Sequence, residues 1–153
     1  MARTQITPAQ DAVISEIEIA APPERVFQAL ITRDQALQWG TTDAFKVVAW
    51  EMDARPGGQW HFTSIEKGSA KEYEHHGEVL EVEPPHVLAY TWFANWHEDP
   101  LHPTVVRWKL TPTANGTHVK VTHSGLAPLP SAATGYSQGW PGLLQDLKKF
   151  LEK

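Results

Sequence analysis

Residues 131–153 read SAATGYSQGWPGLLQDLKKFLEK, and this stretch decides how the rest of the chain must be arranged. Tyr136, Trp140, Leu144, Leu147 and Leu151 recur every three or four residues, which is one apolar stripe on a helix. Leu143 and Phe150 widen the stripe. Lys148, Lys149 and Lys153 stand toward the C-terminal end, where cations suit the helix dipole. The region from Phe45 to Ser124 reads instead as strands and turns. A long helix that follows a run of strands must bury its stripe on a sheet face. Any pocket is expected between the two.

The first strand is read from Val13, Ser15, Ile17 and Ile19, which alternate with Ile14, Glu16 and Glu18. Residues 1–10 are a polar lead-in, expected to fray. Pro22-Pro23 opens a short helix carrying Val26, Phe27, Leu30 and Ile31. Asp34 is expected to cap a second short helix through Trp39, and Gly40 to end it. Six strands follow. Phe45, Val47 and Ala49 define one face of the first of these, and Trp60, Phe62 and Ser64 one face of the next. Residues 71–83 form a long strand in which Gly77 suggests a bulge or bend. Residues 87–93, 104–110 and 117–124 supply the last three strands, and Ala114-Asn115-Gly116 is a hairpin turn. Short turns between successive strands favour an antiparallel meander.

Composition narrows the function classes. The 153 residues suit one domain, with a core expected over about residues 12–152. Net charge is −5, and no basic face is evident, so nucleic acid is not an expected partner. No apolar run approaches a membrane span and no signal peptide opens the chain, so a cytoplasmic location is the default expectation. Cysteine is absent, which removes disulfides, thiolate nucleophiles and thiolate metal sites. No phosphate-binding loop, GxGxxG turn, HExxH pair or nucleophile elbow occurs, so no cofactor or metal is assigned. Seven tryptophans are the unusual feature. They either line a cavity or fill a thick core.

Four motifs in order carry a family resemblance. They are residues 19–30 followed by Trp39, residues 56–62 (PGGQWHF), residues 77–92 (GEVLEVEPPHVLAYTW), and Leu126 with Gly139-Trp140, Leu143, Leu144 and Leu147. Together they resemble the family of the activator of Hsp90 ATPase homologues, within the START-like or SRPBCC superfamily. The resemblance implies an α+β helix-grip fold: a curved antiparallel sheet around a long C-terminal helix, with two short helices after the first strand. It also implies a cavity between sheet and helix, suited to apolar or amphipathic ligands. The Hsp90 co-chaperones it resembles carry a further N-terminal domain for which this chain has no space, so Hsp90 is a minor candidate as partner.

The expected ligand-binding residues are Trp60, Phe62, Leu80, Tyr90, Trp92, Val106 and Trp108 from the strands, with Tyr136, Trp140 and Leu144 from the helix. Such a lining suits an apolar or aromatic small molecule. An alternative is an enzyme of the cyclase or dehydratase type using His61, His76 or Glu74 at the pocket rim. Glu72, Glu74, His76 and Glu78 share one strand face, which also describes an ordinary solvated surface. His97, Glu98, Asp99 and His102 form a second polar group in a loop, either hydrated or loosely metal-binding. A third reading is a stress-related or co-chaperone-like interaction module, marked by an exposed apolar patch. An open sheet edge leaves both monomer and homodimer open.

Overall fold

The alternation of buried and exposed side chains sets one face of a single sheet against the helix. The structure, a computed structural model, describes residues 2–8, 10–41 and 44–153. Its elements are β1 (Arg3–Ile6), β2 (Val13–Ile19), α1 (Pro23–Ile31), α2 (Arg33–Trp39), β3 (Phe45–Met52), β4 (Gln59–Glu66), β5 (Glu72–Glu83), β6 (Val87–Ala94), β7 (Thr104–Thr113), β8 (Gly116–Ser124) and α3 (Pro130–Leu151). The eight strands form one antiparallel curved sheet in the order β1-β2-β8-β7-β6-β5-β4-β3. Strands β3 to β8 are the expected meander, and β2 joins it beside β8.

Helix α3 buries the stripe read from the sequence: Tyr136, Trp140, Leu144, Leu147 and Leu151 are all in the core. They meet Val13, Ile17 and Ile19 of β2, Val119 and Val121 of β8, and Trp108 and Leu110 of β7 in one apolar cluster. The C-terminal end of α3 is fastened to the start of the fold. Glu152 accepts the Ala20 N–H at 2.7 Å, Lys148 donates to the Glu18 carbonyl at 2.9 Å, and Arg25 donates to the Leu151 carbonyl at 3.2 Å. The helix therefore leans over the β1–β2 side of the sheet and stands away from β3, β4 and β5.

Several local expectations are corrected. Residues 3–6 are not frayed but pair with β2, and the Thr4 and Ser15 hydroxyls bond at 2.6 Å. Their polar pattern suits an edge strand with both faces near water. Helix α2 is preceded by Thr32 at its N-cap, and Asp34 lies inside its first turn. Thr32 follows directly on α1, which leaves no room for a cap as late as Asp34. Gly40 ends α2 as expected.

The alternation of β3 slips at Val48. The register shifts between Val47 and Ala49, so Val47 and Trp50 face inward while Val48 is 42% exposed. A bulge on β5 lies at Leu80, between Val79 and Glu81, and not at Gly77. Gly77 has a different role: a Cβ there would stand 2.0 Å from the Thr91 carbonyl oxygen and 2.7 Å from Trp60 Nε1. The Trp60 indole occupies that gap and donates to the same carbonyl at 2.8 Å. Thr91 in turn accepts the Glu78 N–H on its hydroxyl at 2.8 Å. Side chains thus replace ladder bonds where β5 and β6 part.

Candidate functional site

Because α3 leans one way, space opens between its middle turns and the β3–β5 half of the sheet. A cavity of about 680 Å³ lies there. Phe62 and Ser64 of β4, Tyr73 and His75 of β5, and Trp92 of β6 form its sheet wall. Trp96, in the loop after β6, and Trp140 close its apolar end. A smaller space of about 70 Å³ adjoins it, reached by Trp60, Tyr90 and Trp108 beside α2.

The helix wall is made by omission. Gly135, Gly139 and Gly142 fall on one side of α3 and line the cavity, where larger side chains would fill it. A Cβ at Gly139 or Gly142 would meet nothing within 4 Å, and one at Gly135 would touch only the Trp96 ring at 3.7 Å. Glycine inside a helix costs about 1 kcal/mol relative to alanine. Three of them on one face sacrifice helix stability for open volume.

The aromatic wall is held by a directed hydrogen-bond network. Indole N–H groups only donate. Trp140 donates to His123 Nδ1 at 3.2 Å, so the His123 proton sits on Nε2 and points to the Thr104 hydroxyl at 2.8 Å. That hydroxyl donates to the Trp92 carbonyl at 2.6 Å. Trp92 Nε1 donates to the Tyr136 hydroxyl at 2.7 Å, and that hydroxyl donates in turn to His97 Nε2 at 2.6 Å. Trp96 donates to His75 Nε2 at 3.0 Å. Each of the three buried histidines therefore spends a ring lone pair on a donor. A protonated imidazole would have none to offer.

Electrostatics agree. Burial pushes the His75 pKa down to about 3, with His97 and His76 adding to the effect. The Phe62 carbonyl pulls the other way without completing a hydrogen bond to Nδ1, which has no partner. Burial likewise holds His123 well below its ordinary value, and the neighbouring His97 and His75 lower it further. His97 is lowered by burial first, against the opposing charge of Glu98. Burial raises Tyr136 well above a free phenol, despite the Trp92 donor.

Of the residues expected to bind ligand, Phe62, Trp92, Tyr136 and Trp140 line the large cavity, while Trp60, Tyr90 and Trp108 reach only the small one. Val106 and Leu144 are fully buried in the core and line neither. Leu80 is 46% exposed on the outer face, where it continues the outward positions Glu74, His76 and Glu78 of β5. His61, His76 and Glu74 are exposed, on the face opposite His75 and Phe62, so they cannot act on a molecule in the cavity. His76 stacks on Phe93 there, with ring centroids 5.2 Å apart. The enzyme reading built on these three residues has no support in this geometry.

The loop group also separates. His97 turns inward to Tyr136, while Glu98 accepts the Ser131 and Ala132 N–H groups. Asp99 accepts the Leu101 N–H, and His102 reaches the Gly125 carbonyl. Among the described residues no group of three His, Cys, Asp or Glu is placed to hold a metal ion. The sequence signals that point to this cavity are the glycines of the final helix, spaced four and three apart, and the shared parity of Tyr73 and His75 on β5 and of Phe62 and Ser64 on β4.

A curved antiparallel sheet gripping one long helix, with a ligand-sized aromatic cavity between them, defines a START-like helix-grip protein. The chain belongs to the family described as Activator of Hsp90 ATPase homolog 1-like protein, whose profile matches residues 20–152. Solved structures agree on the fold. A protein of Chromobacterium violaceum is 23% identical with a TM-score of 0.82, over 94% of this chain and 99% of that one. The AHSA1 protein of Silicibacter pomeroyi is 24% identical with a TM-score of 0.77, over 92% and 97%. A protein of Mesorhizobium loti is 29% identical with a TM-score of 0.71, over 92% and 96%. No curated protein matches the chain. No helix among the described residues is long and apolar enough to cross a membrane.

Proposed function

We propose that the protein binds an apolar, aromatic small molecule in the cavity between α3 and the β3–β5 half of the sheet. The observation that carries this reading is the glycine face of α3, which keeps a cavity of about 680 Å³ open opposite Phe62 and Trp92. A closed core would gain both packing and helix stability from larger residues at those positions. Burying ~200 Å² of apolar ligand surface contributes on the order of 5 kcal/mol before association costs.

The test is a titration of tricyclic aromatic compounds followed by quenching of tryptophan fluorescence, in the wild type and in Gly139→Leu. The leucine side chain enters open space, so the fold is retained while the volume is taken. Saturable binding in the wild type that disappears in a well-folded Gly139→Leu is the expected result. Binding unaffected by the substitution, or no binding by the wild type, would reject the reading.

A further inference from the structure

The sheet wall of the cavity is mostly aromatic, with His75 tied to Trp96, while Gln138, Gln145 and Asp146 stand on the helix side. Along β4 the inward positions are Trp60, Phe62 and Ser64, so the third of these presents a hydroxyl where its neighbours present rings. Ser64 is only 7% exposed and lines the cavity. Across the β4–β5 ladder its partner is Tyr73, which lines the cavity as well. Among the described residues neither hydroxyl has a hydrogen-bond partner. Ser64 as a residue is more than nine-tenths buried, and its unpaired hydroxyl is left open to the cavity. The Tyr73 ring is held in place: Phe45 packs edge-on at 5.6 Å and the Lys71 ammonium sits 5.2 Å from the ring centroid.

We propose that the ligand is a neutral planar aromatic molecule carrying a carbonyl or phenolic oxygen, and that the Ser64 and Tyr73 hydroxyls receive that oxygen. The inference rests on the cavity being a binding site. Either hydroxyl can donate or accept, so a ketone and a phenol both suit them. The ring system lies between Phe62, Trp92 and the glycine face of α3, where its π face meets aromatic edges. Among the described residues neither Lys nor Arg lines the cavity, Asp146 stands at its helix wall, and the Lys71 ammonium lies against the Tyr73 ring, so the lining favours a neutral ligand over an anionic carboxylate.

The test uses fluorene and 9-fluorenone, which share one ring skeleton and differ in the carbonyl. Wild type is expected to bind 9-fluorenone roughly tenfold more tightly than fluorene, the worth of one neutral hydrogen bond. Ser64→Ala and Tyr73→Phe should each reduce that ratio. The double variant should bring it to about one. The infrared carbonyl band of 9-fluorenone bound to wild type should lie at lower frequency than in an apolar solvent, a readout that needs no variant. Equal affinities in wild type, a ratio preserved in the double variant, or an unshifted band would overturn the assignment of these hydroxyls while leaving the cavity as a binding site. Failure of both compounds to bind wild type would remove the binding site and this inference together.

Discussion

The indole of Trp92 and the hydroxyl of Tyr136 join sheet to helix through a buried 2.7 Å hydrogen bond. Tyr136 then donates to His97 at 2.6 Å, so one phenol serves a strand, a helix and a loop. Tyr136→Phe keeps the ring but strands the Trp92 N–H and the His97 Nε2 lone pair. Each orphaned buried group costs about 1–3 kcal/mol. The expected loss of unfolding free energy is about 2–4 kcal/mol, read from urea midpoints at unchanged slope. A loss below about 0.5 kcal/mol would show that the network does not hold the wall.

Acid should loosen the same region. His75, His97 and His123 have folded pKa values below the ordinary 6.5. Below pH 6.5 the unfolded chain takes up protons at these rings that the folded chain refuses, so stability falls as pH drops from about 6.5 toward 3. Each ring contributes a slope of up to about 1.4 kcal/mol per pH unit. His118 opposes them. Glu18 first, with Glu16, raises its pKa, so its stabilisation is present below pH 6.5 and is lost as pH rises through its folded value. The net expectation is a urea midpoint that declines between pH 6.5 and 5, where the lowered carboxyls of Glu98 and Glu152 remain ionised. A midpoint that is flat or rises over that interval would contradict it.

Strand parity and helix period were legible because each is a local repeat. Val13 to Ile19 and Tyr136 to Leu151 could be placed on faces without knowing their partners. The bulges at Val48 and Leu80 were not legible, since an extra residue in one strand is defined only by the strand opposite it. Leu80 is a different case: it shares the outward parity of Glu74, His76 and Glu78, so its exposure follows from strand alternation and not from the bulge. His97 was hidden for another reason: it lies in a polar loop, and only the fold brings it to Tyr136. The glycines of α3 were visible in the sequence, but their meaning depends on which side of the helix the sheet leaves uncovered.

Two glycines should respond to alanine with opposite sign. Gly139 is a helical residue with open space at its Cβ position, so Gly139→Ala should raise stability by about 0.5–1 kcal/mol. At Gly77 a Cβ would overlap the Thr91 carbonyl and displace the Trp60 indole from its acceptor. Overpacking of that kind costs about 1–3 kcal/mol, and the lost indole bond adds to it. Thermal unfolding of the two variants beside wild type gives the comparison. Gly77→Ala matching or exceeding the stability of Gly139→Ala would contradict the close approach of Trp60 to Thr91.

Glu98 caps the N-terminus of α3 from outside the helix. Leu129, at the N-cap position, offers no side-chain acceptor, and the Glu98 carboxylate takes the Ser131 and Ala132 N–H groups at 2.7 and 3.1 Å. Burial works to raise its pKa, but these donors hold it below the ordinary value. The same bonds pin the loop that carries Trp96 and His97 against the helix, so the cap also fixes one end of the cavity. Glu98→Ala should cost about 0.5–2 kcal/mol, the usual worth of an N-cap. Glu98→Gln, which keeps an oxygen acceptor without the charge, should recover part of that loss. Amide hydrogen exchange locates the effect: faster exchange at Ser131 and Ala132 with the C-terminal turns of α3 unchanged is the expected pattern. Equal acceleration along the whole helix would instead mark Glu98 as a general stabiliser and not a cap.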